Sequence, residues 1–269
     1  LLDAGGLGAG RLRIFGGTEF RPLAPFTSGT EITNDVELIG PGTIRIAVDT
    51  GGRVPKFAGA LKISGTPIIR TGSGDGGHHF WTSNIDGISG FMYRGVRNLT
   101  LQGDNLFRGG VYNIGDANLI FSNGATVAPR LIALEGTTTL ASDNLAFGGI
   151  RVDSGLLRIA DVDALNGSAP IEIRDSALGM GVVSLTDNVV PSFVPGSVGI
   201  LAIDFENYTA ALGDALKDGA IWLGSTIATG AYKGGAFSPG RGGVYRLGGG
   251  DGTITLGTLG TGANILTGM

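Results

Sequence analysis

Short runs in which apolar and polar residues alternate recur along the middle of the chain. Such alternation has the two-residue period of a β-strand that turns one face toward a core and the other toward solvent. Four runs begin at positions that differ by 20, 19 and 19 residues: Leu99–Leu101, Leu119–Phe121, Thr138–Leu140 and Leu157–Ile159. The spacing predicts the same strand in consecutive repeats of about twenty residues.

A second series of apolar runs falls between the members of the first. Ile132, Ile150 and Ile171 mark this series and lie 18 and 21 residues apart. One repeat cannot bury its apolar strand face alone, whereas stacked repeats can, because each backbone bonds to the repeats above and below it. We therefore predict an all-β fold: a single right-handed parallel β-helix (β-solenoid) with two strands and about twenty residues in each circuit, or rung. On the order of a dozen rungs would make a rod of roughly 60 Å.

The pattern is interrupted in two places. Residues 70–90 are polar and rich in glycine, which predicts a loop inserted into the solenoid. Residues 207–218 place Tyr208, Leu212 and Leu216 on one helical face, with Asn207 as a candidate N-cap, which predicts a short helix. No linker divides the chain, so we expect residues 1–269 to form one continuous solenoid with these two excursions.

Composition agrees with many short strands joined by tight turns. The 269 residues include 51 glycines, and 42% of the residues are hydrophobic, enough to fill a core. The absence of cysteine excludes disulfides and thiolate chemistry. The net charge is −4 and no run of Lys or Arg occurs, so we expect no binding to nucleic acid. The longest apolar run is far below the ~18 residues that span a bilayer, so we expect no membrane insertion by this chain.

Both ends of the chain lack the features of a natural terminus. The chain begins at Leu1 without an initiator methionine and stops at Met269 within the pattern, which indicates a fragment of a longer protein. Leu1–Gly10 is apolar and glycine-rich, and a strand-like run lies near the other end. We expect residues 1–15 and 254–269 to abut further segments of the same polypeptide or other copies stacked end to end.

Two parts of the chain carry the motifs of a known family. Residues 199–208, 221–225 and 244–256 together resemble a module of the large bacterial surface proteins with autotransporter-associated β-strand repeats. Residues 148–159 with 164–167 are similar to the repeat itself, although Asn166 separates Leu165 from Gly167. The resemblance covers roughly residues 95–269. It implies a right-handed β-helix outside the cell and brings no catalytic residues with it.

One polar and aromatic cluster is a candidate ligand-binding site. It comprises Asp75, His78, His79 and Trp81, on the predicted loop. Adjacent histidines on a strand point to opposite faces, which makes them poor joint metal ligands. The alternative is a surface loop whose Phe80 and Trp81 pack on the solenoid. We predict no metal site and no cofactor.

Two segments share features with calcium loops. In Asp161–Glu172 the fifth position is Leu165, and Gly167 falls one position late for the required turn. In Gly248–Ile254, Asp251 comes two positions early for the G-G-x-G-x-D repeat, which is also not repeated in tandem. A corner before a strand and a β-turn are the favoured interpretations.

Parallel β-helices also carry polysaccharide lyases and hydrolases, so an enzyme is a rival interpretation. Their sites need carboxylates clustered on neighbouring rungs, whereas Asp104, Asp143, Asp153 and Asp175 fall in separate corners. We therefore predict no enzyme, but an extracellular structural segment, such as a stalk or fibre, at the bacterial cell surface. The other alternative is an adhesin that binds glycans through residues 78–81.

Overall fold

The computed structural model describes residues 8–21, 31–47, 56–71, 79–122, 125–143, 145–257 and 266. These residues form an all-β parallel solenoid of about ten rungs, with roughly 21 residues between equivalent positions. Each complete rung contributes one strand to each of three sheets, and each strand pairs with its counterparts one rung away. The predicted fold class is confirmed.

Sheets A and B lie on adjoining sides of the solenoid, with strands numbered along the chain. Sheet A contains β1 (Leu12–Phe15), β4 (Val36–Ile39), β7 (Leu61–Ser64), β10 (Ile85–Gly87), β13 (Asn105–Phe107), β16 (Thr126–Ala128) and β19 (Leu145–Phe147). Sheet B contains β2 (Glu19–Phe20), β5 (Thr43–Ile46), β8 (Ile68–Thr71), β11 (Phe91–Tyr93), β14 (Val111–Asn113), β17 (Leu131–Ala133), β20 (Ile150–Val152) and β22 (Ile171–Ile173).

Sheet C is the longest of the three. It contains β3 (Glu31–Ile32), β6 (Lys56–Phe57), β9 (His79–Trp81), β12 (Leu99–Leu101), β15 (Asn118–Ser122), β18 (Thr137–Ala141), β21 (Leu156–Ile159), β25 (Val182–Leu185), β26 (Val198–Ile203) and β27 (Ala220–Gly224). Its ten strands make a stack of about 43 Å. The antiparallel hairpin β23 (Asp175–Ser176) and β24 (Gly179–Met180) and the parallel pair β28 (Gly230–Tyr232) and β29 (Ile254–Leu256) complete the described strands.

Columns of stacked side chains fill the interior. Parallel pairing without a register shift places each inward residue directly beside its counterpart one rung away. The column on sheet C runs through nine apolar residues, each at most 1% exposed: Ile32, Phe57, Trp81, Leu101, Phe121, Leu140, Ile159, Leu185 and Ile203. Burial of such side chains contributes about 1.5–3 kcal/mol each.

The structure has three strands per rung where the sequence pattern predicts two. The missed strands belong to sheet A, in which Leu106 and Val127 face outward and are 47% and 46% exposed. The polar residues Asn105 and Thr126 face inward beside each other, and Asn105 Nδ2 donates to Thr126 Oγ1 at 2.9 Å. Asn105 Nδ2 also donates to the Gly103 carbonyl at 2.7 Å, and these bonds hold the polar side chains in the core. Because polar residues face inward and apolar residues outward, the local pattern is reversed and does not resemble a half-buried strand.

The helix predicted over residues 207–218 is absent. Tyr208 instead forms a parallel bridge with Tyr232, and Gly213 forms one with Phe237, so the segment is part of a rung. Gly213 has φ of +48°, a left-handed conformation that ends helices. The apolar positions that suggested a helical face are buried because Tyr208 stacks on Tyr232, with ring centroids 5.8 Å apart.

Parts of the segment predicted as a loop, residues 70–90, are strands. Residues 79–81 and 85–87 are strands β9 and β10, in register with their neighbours. Residues 72–78 lie outside the described residues, as do 1–7, 258–265 and 267–269 at the ends. In the described ranges no helix has the length and apolar character needed to cross a membrane.

A matched pair of leucines tests the assignment of inner and outer faces. Leu101→Ala removes a core side chain that is 1% exposed and should cost about 3 kcal/mol of unfolding free energy. Leu106→Ala, on the outer face of the same rung, should cost no more than about 0.5 kcal/mol. Urea denaturation of both variants measures the difference, and equal losses would contradict the assigned faces.

Candidate functional site

The described members of the predicted ligand-binding cluster lie in a strand of the solenoid and not in a surface loop. Asp75 and His78 lie outside the described residues. His79 and Trp81 lie in β9, and their side chains are fully buried in the column interior of sheet C, beside Leu99 and Leu101. Phe80 between them faces outward and is 41% exposed.

The burial of His79 and Trp81 makes them part of the packing. Trp81 contacts Phe57 edge to face, with ring centroids 5.7 Å apart. A ligand could reach Trp81 only by opening the core, because Phe57 and Leu101 pack on the two sides of its strand position. The sequence left two interpretations of this cluster, a ligand-binding site and a loop that packs on the solenoid. The buried position of Trp81 agrees with packing, whereas Phe80 faces solvent.

The two segments compared with calcium loops are corners. The Asp161 side chain accepts a hydrogen bond from the Asp163 amide at 2.8 Å, and Asp163 accepts one from Asn166 Nδ2 at 2.8 Å. Gly248, Gly249 and Gly250 all have positive φ and form the bend that leads to β29. In the part of the chain that the structure describes, no three His, Cys, Asp or Glu side chains are grouped so as to hold a metal ion.

The most densely bonded buried polar group is Asp204, which is 8% exposed and follows β26. Its carboxylate accepts hydrogen bonds from Ser184 Oγ at 2.5 Å, from Ser225 Oγ at 2.9 Å and from the Thr226 amide at 2.6 Å, as well as from the Thr226 hydroxyl. Ser184 lies one rung before Asp204 and Ser225 one rung after it. The carboxylate therefore ties three consecutive rungs together.

Neutral donors alone hold this carboxylate in its charged form. Burial by itself would raise the pKa of Asp204, but the hydrogen bonds from Ser184, Thr226 and Ser225 outweigh burial and hold the pKa below its ordinary value. Every partner is a hydroxyl or backbone amide of a neighbouring rung, so the arrangement stabilises the stack. Each of the two carboxylate oxygens accepts two of these hydrogen bonds.

A column of arginines on the outer face of sheet B is the most distinctive charged surface. Arg45 is in register with Arg70, and Arg94 follows Tyr93, which is in register with Ile69, so Arg94 lies beside Arg70. The three guanidinium groups thus project from successive strands, about 4.8 Å apart in the backbone. We call Arg45, Arg70 and Arg94 the basic column.

One end of the basic column is paired with a carboxylate and the other is not. Glu19 accepts from Arg45 Nη1 at 2.8 Å and from Arg21 Nε at 2.7 Å, so one carboxylate is shared by two cations. The exposed guanidinium groups of Arg70 and Arg94 form no hydrogen bond or ion pair with another described residue. The face therefore carries a net positive charge in a protein whose net charge is −4.

An apolar column runs beside the basic column on the same face. Ile68, Met92 and Tyr112 are in register on successive strands and are half-buried. Ile68 and Met92 lie two positions before Arg70 and Arg94, whereas Tyr112 lies one rung further along, two positions before Ile114. A Cβ added to Gly110 would lie 2.9 Å from the Tyr112 ring, so one edge of this ring packs against the backbone just before its own strand. The face thus combines a line of cations with a line of apolar surface.

Sequence reasoning missed the basic column because its members are 25 and 24 residues apart. A search for runs of Lys and Arg finds contiguous charge only. The sequence does contain a signal for the column, because Arg45 and Arg70 are each the third residue of their strand. This equivalence can be seen only after the strands have been aligned rung by rung.

Comparison of the chain with protein-family models, with curated proteins and with solved structures found no match. Function must therefore be inferred from the fold and the surface of the chain itself.

The Asp204 cluster predicts a pH-dependent stability. The folded-state pKa lies below the unfolded value of about 3.9, so the carboxylate contributes stability that is complete above that pH and is lost as the pH falls through the folded-state pKa. Asp204→Asn should cost about 2–3 kcal/mol at neutral pH, because an amide group faces donors, and the deficit should shrink in acid. Thermal melts of both proteins between neutral and acid pH measure it.

The matched control is Asp214→Asn. Asp214 is exposed and bonds Ser238 and Lys217, so its replacement should leave the melting temperature nearly unchanged at neutral pH. A deficit for Asp204→Asn that stays constant down to strong acid would show that the charge of Asp204 is not what stabilises the corner.

Proposed function

We propose that this chain is a rigid structural segment of a large bacterial protein displayed outside the cell. The observation that carries the proposal is the uninterrupted interior column of sheet C, from Ile32 to Ile203, which unites every rung along its length into one stack. In a solenoid each rung rests only on its neighbours, so length can be added without a larger core. This is the property that a stalk or fibre requires.

The family resemblance supports an exported, surface-displayed protein. The three resembling segments occupy neighbouring rungs: Gly199–Ala202 pair with Ile221–Gly224, and Leu223 bridges to Leu247. Because the motif is spread over three stacked rungs, we attribute it to the geometry of the rungs and the shape of their corners. We therefore infer that the resemblance reflects a shared way of building a β-helix, which in those proteins serves display at the cell surface.

The edge of sheet A favours stacking on further protein. Strand β1 is the first strand of that sheet among the described residues, and its Leu12 amide bonds back to Asp35 at 2.8 Å. Alternate residues of a parallel strand bond to opposite sides, so the Arg13 amide points away from β4. An edge of this kind is a template for another strand, from the same polypeptide or a second copy.

Surface display has a direct test in cells that produce the full-length protein. An antibody against this segment should label intact cells, and added protease should remove the signal. The control is an antibody against a cytoplasmic protein of the same cells, which should label permeabilised cells only. Labelling of this segment that also requires permeabilisation would refute an extracellular location.

End-to-end stacking has a matched pair of variants at one position. The isolated segment should form oligomers or filaments at high concentration, and Arg13→Pro should reduce them because it removes the outward amide without touching the bonds to β4. Arg13→Ala keeps this amide while losing the ion pair to Glu37, and should assemble like the parent. Sedimentation velocity and negative-stain images distinguish the three proteins. A monomeric parent, or equal assembly of both variants, would refute edge pairing.

A further inference from the structure

We propose that the outer face of sheet B binds a linear polysaccharide of acidic sugars, which lies along the solenoid axis across the rungs of Arg45, Arg70 and Arg94. This inference concerns the surface of the solenoid and does not depend on where the protein is located. It rests on the charge, the spacing and the apolar neighbours of the basic column.

The charge of the face is complementary to a carboxylate polymer. Arg70 and Arg94 are exposed and have no acidic partner among the described residues, while Glu19 is shared between Arg21 and Arg45. Guanidinium groups bind carboxylates through two parallel hydrogen bonds, which gives them more directional recognition than an ammonium group offers. Three such groups in line favour an extended anion over a single small one.

The spacing of the column suits a ligand that itself repeats. Successive strands of a parallel sheet lie about 4.8 Å apart, which is close to the length of one sugar unit in an extended chain. A uronic polymer along the axis would therefore meet one arginine with each sugar, or with each second sugar where its carboxylates alternate sides. A polymer across the axis would meet only one arginine.

The apolar column supplies the other half of a sugar-binding surface. Ile68 and Met92 lie beside Arg70 and Arg94 in the same rungs, and Tyr112 continues the apolar column one rung beyond Arg94. A sugar ring has one face rich in C–H groups, and the half-buried Tyr112, whose ring edge packs against Gly110, offers an aromatic surface that carries a hydroxyl. The polysaccharide would place its carboxylates over the basic column and its sugar rings over the apolar column, and would so contact both columns at once.

The same face is poorly suited to single-stranded nucleic acid. Binding of that kind combines a basic groove with several aromatic side chains on which successive bases stack. The outer columns described here present one aromatic residue, Tyr112, and the sheet surface is not a groove lined by rings. A nucleic acid is therefore treated as an outcome of the test.

The experiment measures binding of polygalacturonate to the whole chain by isothermal titration calorimetry at low and at moderate salt. Arg70→Gln/Arg94→Gln should weaken binding roughly tenfold, since each exposed charge contact is worth somewhat under ~1 kcal/mol. The matched control Arg13→Gln/Lys62→Gln removes the same charge from the outer face of sheet A and should change binding by less than about twofold. Added salt should lower the affinity of the parent protein for polygalacturonate and should have little effect on the residual affinity of the sheet B variant.

Three further arms define the ligand. Neutral dextran should not bind, and inorganic polyphosphate and an oligonucleotide of equal charge should bind more weakly than polygalacturonate. Tyr112→Ala should weaken binding of polygalacturonate but not of polyphosphate, because only the sugar uses the apolar column. Circular dichroism confirms that each variant is folded.

Three results would overturn the proposal. The first is no binding of polygalacturonate at low salt. The second is an equal loss in the sheet A and sheet B variants, which would indicate attraction by net charge alone. The third is an oligonucleotide that binds as tightly as polygalacturonate with the same dependence on Arg70 and Arg94, which would identify a general polyanion surface.

Discussion

Hydrogen bonding between successive rungs, in parallel and in register, is the constraint on which the rest of this structure depends. It fixes each residue directly beside its counterpart one rung away, so side chains meet partners of equivalent position along the whole stack. Apolar positions thereby become continuous interior columns, of which the one from Ile32 to Ile203 is the longest in sheet C. Stability of such a stack comes mainly from neighbour-to-neighbour contacts, which is why variation in rung length is tolerated at the corners.

The same constraint decides where polar groups can be buried. A polar side chain inside the stack is acceptable when the residue one rung away can bond to it. Asn105 bonds to Thr126 in this way, and Asn113 Nδ2 donates to Thr138 Oγ1 at 3.2 Å and to the Thr137 carbonyl at 2.8 Å. The Asp204 corner extends the principle to a charged group, because donors from the rungs on both sides converge on one carboxylate.

On the outside, the register converts residues far apart in the chain into lines of like chemistry. The outward column of sheet A begins with alternating charges, Arg13, Glu37, Lys62 and Asp86, and the column of sheet B carries three successive arginines. Like charges at the spacing of adjacent strands repel one another, so alternation is the stabilising arrangement and three arginines in line are not. An anionic ligand along the axis would relieve that repulsion, which connects a scaffold to a binding surface without any catalytic group.

The sequence by itself determined the all-β class, the period near twenty and the strands of sheets B and C in the middle rungs, because their alternation of apolar and polar residues is local. Only the tertiary structure decided the third sheet, the loss of the expected helix at 207–218, the burial of His79 and Trp81, and the alignment of Arg45 with Arg70. Each of these depends on which residues one rung apart become neighbours. Along sheet A the first strand residues Leu12, Val36, Leu61 and Ile85 are separated by 24 or 25 residues, and later ones by 19 to 21. Because the rungs differ in length, the local sequence does not indicate which residues of successive rungs pair. The pairing had to be known before core-facing residues could be distinguished from solvent-facing ones.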